Sequence, residues 1–438
     1  MKRLLYMLLI LALLLSAAGC GENAGERSLP ASTGTGENPA GPAGAAPVTL
    51  LTRGMDVEKG SPAAAAETSY TAVGDLGRAL LPHVAGENPV FSPLSAYVVL
   101  SMAAEGARET TAKEFDALLG SDAETRGKTL QDLFALLDLI KGGNNDLLLS
   151  DSFWVDPDAE IREEYLRRLA GIYRAEGYAG SLSSESLTQA MNDWVSEKTH
   201  GKIPALFSEP PDPKTVLILI NTLYFKGAWR EPFSTYSTQE GTFRTESGAS
   251  VSVPFMHNGE GRFEYFKSED FAGVCLPFEG AAGKNAKMVL LMPRNVSVRE
   301  LAEKMDGKAL ASLSGKQYMI DLSLPSFSAA SGLDLKKVLP GLGLASAFDP
   351  STADFSGMGA GPSGDPLYIG SAMQKVRISV DEAGAEGAAA SYVGMEAESE
   401  PVPDFSLTFD RPFFYAVLDG ATGVPLFTGI VTDPSVKG

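Results

Sequence analysis

The run "TVLILINTLYFKGAW", Thr215 to Trp229, constrains the fold more than any other stretch of the chain. Its β-branched and apolar residues follow one another without alternation, as suits a strand buried on both faces. Such a strand has no side to give to water, so a large core must be built around it. The chain can supply one. It has 438 residues, of which 44% are apolar and 21% charged, which are globular values.

The segments around this strand alternate in character. "NPVFSPLSAYVVLSMAAEGARETTAKEF" reads as a short strand at Val90 and Phe91, a turn at Ser92-Pro93 and a helix apolar almost all round, hence buried. Further helices are expected at Lys128–Ile140, Ile161–Tyr173 and Ser186–Thr199. In the second, Ile161, Tyr165, Leu169 and Ile172 recur at helical spacing. Later come the strand-like runs "VCLPFEG", "KMVLLMPR", "MIDLSLPSFS" and "QKVRISVDE". A hairpin follows, in which "FFYAVLD" and "VPLFTGIVTDP" flank a turn at Asp419–Gly423. Helices dominate the first half and strands the second, without internal repeat. The expected class is α+β, one large domain.

Before this body the chain opens "MKRLLYMLLILALLLSAAGC". Lys2 and Arg3 precede the apolar run Leu4–Leu15 and then small residues, the pattern of an export signal over residues 1–19. "SAAGC" is similar to the bacterial lipobox, which would make Cys20 a lipidated first residue and attach the protein to a membrane through acyl chains alone. The family pattern more often has Leu where Ala17 stands. Residues 20–66 are rich in Gly, Ala, Pro and Ser and read as a flexible tether, with folded sequence from Glu67 to the end. The protein is then extracytoplasmic, lipid-anchored or otherwise secreted.

The formal net charge of −19 argues against nucleic acid as a partner. Cys20 and Cys275 lie in different contexts, so no disulfide is expected. Cys275, in "AGVCLPFEG", reads as a buried small hydrophobe. His83, His200 and His257 fall in no metal-ligating pattern, and no metal or cofactor is implied. Gly359, Gly361 and Gly364 match G-x-G-x-x-G. Prolines stand where a dinucleotide site needs a helix, so the stretch reads as a surface loop. No nucleophile elbow or marked carboxylate pair appears, and the chain does not read as an enzyme.

Five segments, in order, resemble one family. They are "NPVFSPLSAYVVLSMAAEGARETT", "MNDWVSEKTHGKIPALF", "LINTLYFKGAWREPF", "LPSFSAASGLDLKKVLPGLGLASAFDPSTADFSGM" and "FDRPFFYAVLDGATGVPLFTGIVTDP". They are similar to the signature blocks of the serpins and cover nearly everything from about Glu67 to Pro434. The resemblance implies a serpin fold: three β-sheets, eight or nine helices and a long reactive loop, here about residues 382–404, beside the main sheet. It implies that Ser92, Ser95 and Asn221 form a polar cluster where the central strands of that sheet part, and that Trp229 stands at its top. Gln374 occupies a position where the family often has His. Gln hydrogen-bonds but does not titrate, so no pH sensitivity is expected from that residue.

The resemblance further implies suicide inhibition of a serine protease. The protease cleaves the loop as substrate, and the loop inserts into the main sheet before the acyl-enzyme hydrolyses; strand addition of this kind is an established mode for serpins. Insertion between two strands demands small side chains and every backbone N–H, hence no proline. In "EAGAEGAAAS" the only large residues are two glutamates. Glu382, Gly384, Ala385, Glu386, Gly387, Ala388, Ala389 and Ala390 fit the family's hinge, with Ala385 replacing a more usual Thr or Ser and Gly387 an Ala. Read without the resemblance, the same stretch is a flexible linker or a short helix.

The family's spacing from Glu382 reaches a scissile bond at Glu398–Ser399. A shifted register would use Ala397 or Met395 instead. No Lys or Arg lies between Ile378 and Asp410, which disfavours trypsin-like enzymes. The implied partner is a glutamate-preferring protease, or an elastase- or subtilisin-like one for the shifted register, met by a monomer. The alternative is a non-inhibitory serpin serving as a binding or structural protein.

Overall fold

A computed structural model describes residues 48–140, 144–211, 215, 217–280, 285–385 and 402–437. Among the described residues there are three sheets, of seven, ten and two strands. The seven-stranded main sheet contains β1 (Thr49–Leu50), β2 (Asp146–Val155), β3 (Glu176–Ala179), β4 (Leu217–Ala228), β5 (Phe327–Asp334), β6 (Met373–Val380) and β7 (Gly384–Ala385), in the spatial order β1-β3-β2-β4-β7-β6-β5. The ten-stranded sheet carries the expected C-terminal hairpin, Phe413–Asp419 against Pro425–Val431, both strands wholly buried, between the edge strand Val90–Phe91 and Ala286–Pro293. Cys275 is buried in this sheet, and burial pushes its thiol up to about 12. The two-stranded ribbon joins Gly359–Ala360 to Glu160–Ile161. Gly359, Gly361 and Gly364 therefore open no helix of a dinucleotide site.

The described residues contain ten α-helices, several of a single turn, against the eight or nine implied. Those around the main sheet are α1 (Pro62–Glu67), α2 (Pro93–Gly106), α3 (Ala123–Leu137), α4 (Glu163–Tyr173) and α5 (Glu185–Lys198). Local chemistry sets their starts. The Ser92 hydroxyl accepts the Ser95 N–H and Pro93 supplies a preset first residue, so α2 begins where the Ser-Pro turn was expected. Asp122 and Ser184 cap α3 and α5 in the same way. All but one residue of α2 are buried, as its all-round apolar pattern requires.

β4 is covered on both sides. Ile218 and Ile220 pack with Trp154, Leu187, Met191 and Trp194, the last three on α5. Its alternate residues, Asn221 and Phe225 among them, face the other way, toward α2.

The ordered body extends further toward the N-terminus than composition suggests. Residues 48–66 fall in the expected tether, yet β1 pairs with β3 through Thr49↔Ala179 and Leu50↔Tyr178. The Glu58 N–H donates to the Gly171 carbonyl at 2.9 Å, and the Ser61 N–H to Asp132 Oδ1 at 2.6 Å. Backbone pairing with a sheet edge needs no apolar side chains, and the alanines of α1 allow close approach to α3, where Ala65 is fully buried. The boundary near Glu67 is thus corrected to include residues from Val48. The signal segment, Cys20 and the tether up to residue 47 lie outside the described residues.

Candidate functional site

The centre of the main sheet holds the site. β4 and β6 run parallel and meet directly through Ile218↔Ser371 at one end. At the other end β7 lies between them: Gly384 pairs with Ala228, and Ala385 pairs with Gly227 on one side and Val380 on the other. Of the expected hinge, Glu382, Gly384 and Ala385 are therefore seen, with Ala385 wholly buried as the first rung of a strand between β4 and β6. Glu386, Gly387, Ala388, Ala389 and Ala390 lie outside the described residues, as do Met395, Ala397, Glu398 and Ser399.

A tight turn leads from β6 into β7. The Asp381 N–H donates to the Gly384 carbonyl at 3.0 Å, and Asp381 Oδ1 accepts the N–H groups of Ala383 and Gly384 at 2.9 and 3.2 Å. Burial raises the Asp381 carboxyl above its usual range, and these two donors oppose that shift. Gly384 has φ +155, and a Cβ there would stand 1.9 Å from the Gly227 carbonyl oxygen. Only glycine lets this backbone come so close to β4.

Trp229 holds the turn from the β4 side. Its indole Nε1–H donates to the Asp381 carbonyl at 2.9 Å and its own N–H to the Ala383 carbonyl at 2.9 Å. The ring is buried and stacks on Phe278, centroids 4.5 Å apart and 10° from parallel. The Glu382 carbonyl accepts the Phe233 N–H at 3.0 Å, and the Glu382 carboxylate accepts the Thr238 hydroxyl at 2.6 Å. Every residue of the turn from Asp381 to Gly384 is thus fastened by at least one hydrogen bond.

The polar cluster is split in two. From Ile218↔Ser371, three steps along parallel strands bring Asn221 on β4 level with Gln374 on β6. On the β6 side, Gln374 Oε1 accepts the Ser92 N–H and Gln374 Nε2 donates to the Ser92 carbonyl, both at 3.0 Å. The Ser92 hydroxyl donates to the Leu426 carbonyl at 2.7 Å while capping α2. On the β4 side, Asn221 Nδ2 donates to Asp151 Oδ1 of β2 at 2.7 Å. The structure joins Ser92, Ser95 and Gln374 by hydrogen bonds; Asn221 has a partner of its own.

Sequence reasoning passed over Asp151, Asp381, Phe278 and Thr238. Asp151 left a legible signal: it is the single charge in the apolar run "LLLSDSFWV". It is buried, and burial pushes its carboxyl up to about 7 against the opposing Asn221 hydrogen bond.

This arrangement has counterparts. The chain matches the family model described as "Serpin (serine protease inhibitor)" over residues 71–434. It is 31% identical over 367 residues to Serpin-ZXA of Oryza sativa subsp. japonica, covering 80% of this chain and 91% of that one. The crystal structure of the thermophilic serpin tengpin in its native state superposes with a TM-score of 0.78 at 27% identity, covering 88% of this chain and 99% of that one. Tengpin in its latent state gives 0.70 at 26%, covering 83% and 97%. The chain belongs to the serpin family, whose members are generally protease inhibitors, with some non-inhibitory exceptions.

Proposed function

We propose that this serpin is a suicide-substrate inhibitor of serine endopeptidases, with Glu398–Ser399 as the bond offered to the protease. The observation that carries the reading is the placement of Ala385 as a first rung between β4 and β6. The antiparallel register Ala385↔Gly227, continued downward, sets Gly387 against Phe225, Ala389 against Leu223, Ser391 against Asn221 and Val393 against Leu219. These residues would enter on the face toward α2, and all but Val393 are Gly, Ala or Ser. Glu386 and Tyr392 would alternate to the opposite face, so no charge has to enter the α2 side.

The same register carries Glu398 opposite position 214, beyond the end of β4 at Leu217. A protease esterified at Glu398 would be drawn the full length of the strand. Its acyl-enzyme forms when the catalytic serine attacks the Glu398 carbonyl and the amine of Ser399 leaves. Insertion removes the ester from competent geometry before water completes hydrolysis. A glutamate beside the bond selects a protease with a basic or polar specificity pocket. Export by the N-terminal signal and acylation of Cys20 would hold the inhibitor at a bacterial membrane.

The test is incubation of the purified domain with a glutamate-specific serine protease and, separately, an elastase-like one, followed by denaturing gels and mass analysis of the released peptide. An SDS-resistant complex and a fragment beginning at Ser399 are expected. A fragment beginning at Glu398 or Glu396 would move the bond to Ala397 or Met395. Complete cleavage without complex across a protease panel would reject inhibition and leave a non-inhibitory serpin.

A further inference from the structure

Insertion between β4 and β6 requires the two halves of the main sheet to separate. The β6 half is tied to the start of α2 by Gln374. β2 is paired with β4 along its whole length, Asp146↔Lys226 to Val155↔Leu217, so β2 and β4 must move together across the helices beneath them. Between those two strands lies the Asp151–Asn221 pair, on the face toward α2.

That pair is incomplete as an ion–amide contact. Asn221 Nδ2 donates to Asp151 Oδ1, but Asn221 Oδ1 is buried without a hydrogen-bond partner. Ser95 Oγ on α2 is also buried without one. A carboxylate can only accept, and so leaves the amide oxygen unmet. A carboxylic acid carries the missing donor: its O–H can serve Asn221 Oδ1 while its carbonyl accepts from Asn221 Nδ2, closing an acid–amide pair.

Among the described residues, no cation is bonded to Asp151. On α2, Glu105 is taken by Arg168 at 2.5 Å and by the Tyr173 hydroxyl at 2.8 Å. Past the end of α3, Asp138 pairs with Arg174 at 2.7 Å. These two residues stand beside Phe134, Leu137, Leu147, Leu149, Tyr173 and Asp151 around a cavity of about 30 Å³. On α4, the Tyr165 hydroxyl donates to the Met102 carbonyl. From β4, only Asn221 bonds to Asp151.

We propose that Asp151 is a proton-operated clasp of the main sheet: protonated, it locks β2 to β4 through Asn221 in the closed sheet, and ionised, it loosens that half and favours separation from β6. The sign follows from burial. A carboxyl whose folded-state pKa is raised contributes stability fully below its unfolded value near 4 and loses it as pH rises through about 7. If separation hydrates Asp151, the opening equilibrium rises by up to roughly 100-fold between pH 5 and pH 8.

Two measurements on the intact protein decide this. In protein labelled with ¹³C at aspartate carboxyls, the Asp151 resonance, assigned by its loss in Asp151→Asn, should titrate with a midpoint above 6. Wild type should lose thermal midpoint from pH 5 to 8; Asn is isosteric with the protonated acid, so Asp151→Asn should fold and should flatten that fall. A midpoint below 6, or the same pH dependence in Asp151→Asn as in wild type, overturns the proposal. Should the variant not fold, Asp151 is assigned by backbone correlation and its titration decides alone.

Discussion

At the scale of single residues, the root of the loop depends on Gly384 and Trp229. Gly384 brings β7 against the Gly227 carbonyl, and Trp229 clamps the turn that leads there. Gly384→Ala must move a Cβ out of a space 1.9 Å from that oxygen, at a φ of +155 that L-residues rarely adopt. Displacing β7 would remove the Trp229-to-Ala383 hydrogen bond, at a cost of about 1–3 kcal/mol. The expected outcome is a lower native thermal midpoint, faster amide exchange at Trp229 and red-shifted emission from its hydrated ring. Unchanged exchange at Trp229 would show that the glycine does not hold this contact.

At the scale of elements, the hinge segment is a strand whose first rung is set and whose remainder must follow. Ala385 has no exposed surface and lies between Gly227 and Val380. Ala385→Arg places a long charged side chain in that slot, and burying an unpaired cation costs several kcal/mol. Cleavage should continue while the SDS-resistant complex falls by more than about tenfold, since each 1.4 kcal/mol against insertion favours hydrolysis tenfold. A variant that traps protease as well as wild type would remove insertion from the mechanism.

Part of this element was legible beforehand. The hinge residues alone read as a linker or a short helix, and only the serpin resemblance marked them as a strand that can enter a sheet; the unbroken apolar run of β4 declared its buried neighbour without that help. Caps declared where α2 begins. Less legible were contacts set by register. That Asn221 would bond to Asp151 across β2–β4, with Ser92 held instead by Gln374, depends on which residues fall level, and strand periodicity alone does not fix pairing. Residues 48–66 were hidden for another reason: their few apolar contacts, Val48, Leu51 and Met55 against the core, are spaced among Gly, Pro and charged residues, and the rest of the attachment is backbone pairing and alanine.

At the scale of the whole molecule, the native main sheet has a place for one more strand. Among the described residues, β4 and β6 share β7 at one end and the Ile218–Ser371 bridge at the other, with no ladder pairing between. Residues 385–394 span that interval in register. Filling it would pair about ten residues on both sides, each hydrogen bond contributing about 0.5–1.5 kcal/mol net, or roughly 10 kcal/mol together. One kcal/mol moves the midpoint of a domain this large by about 1–2 °C, so the cleaved protein should melt at least ~10 °C above the native form. The comparison is a pair of thermal melts, before and after cleavage by a protease too dilute to be trapped. Equal midpoints would mean that the severed loop stays outside the sheet, and the energy to displace a bound protease would then have no source in this fold.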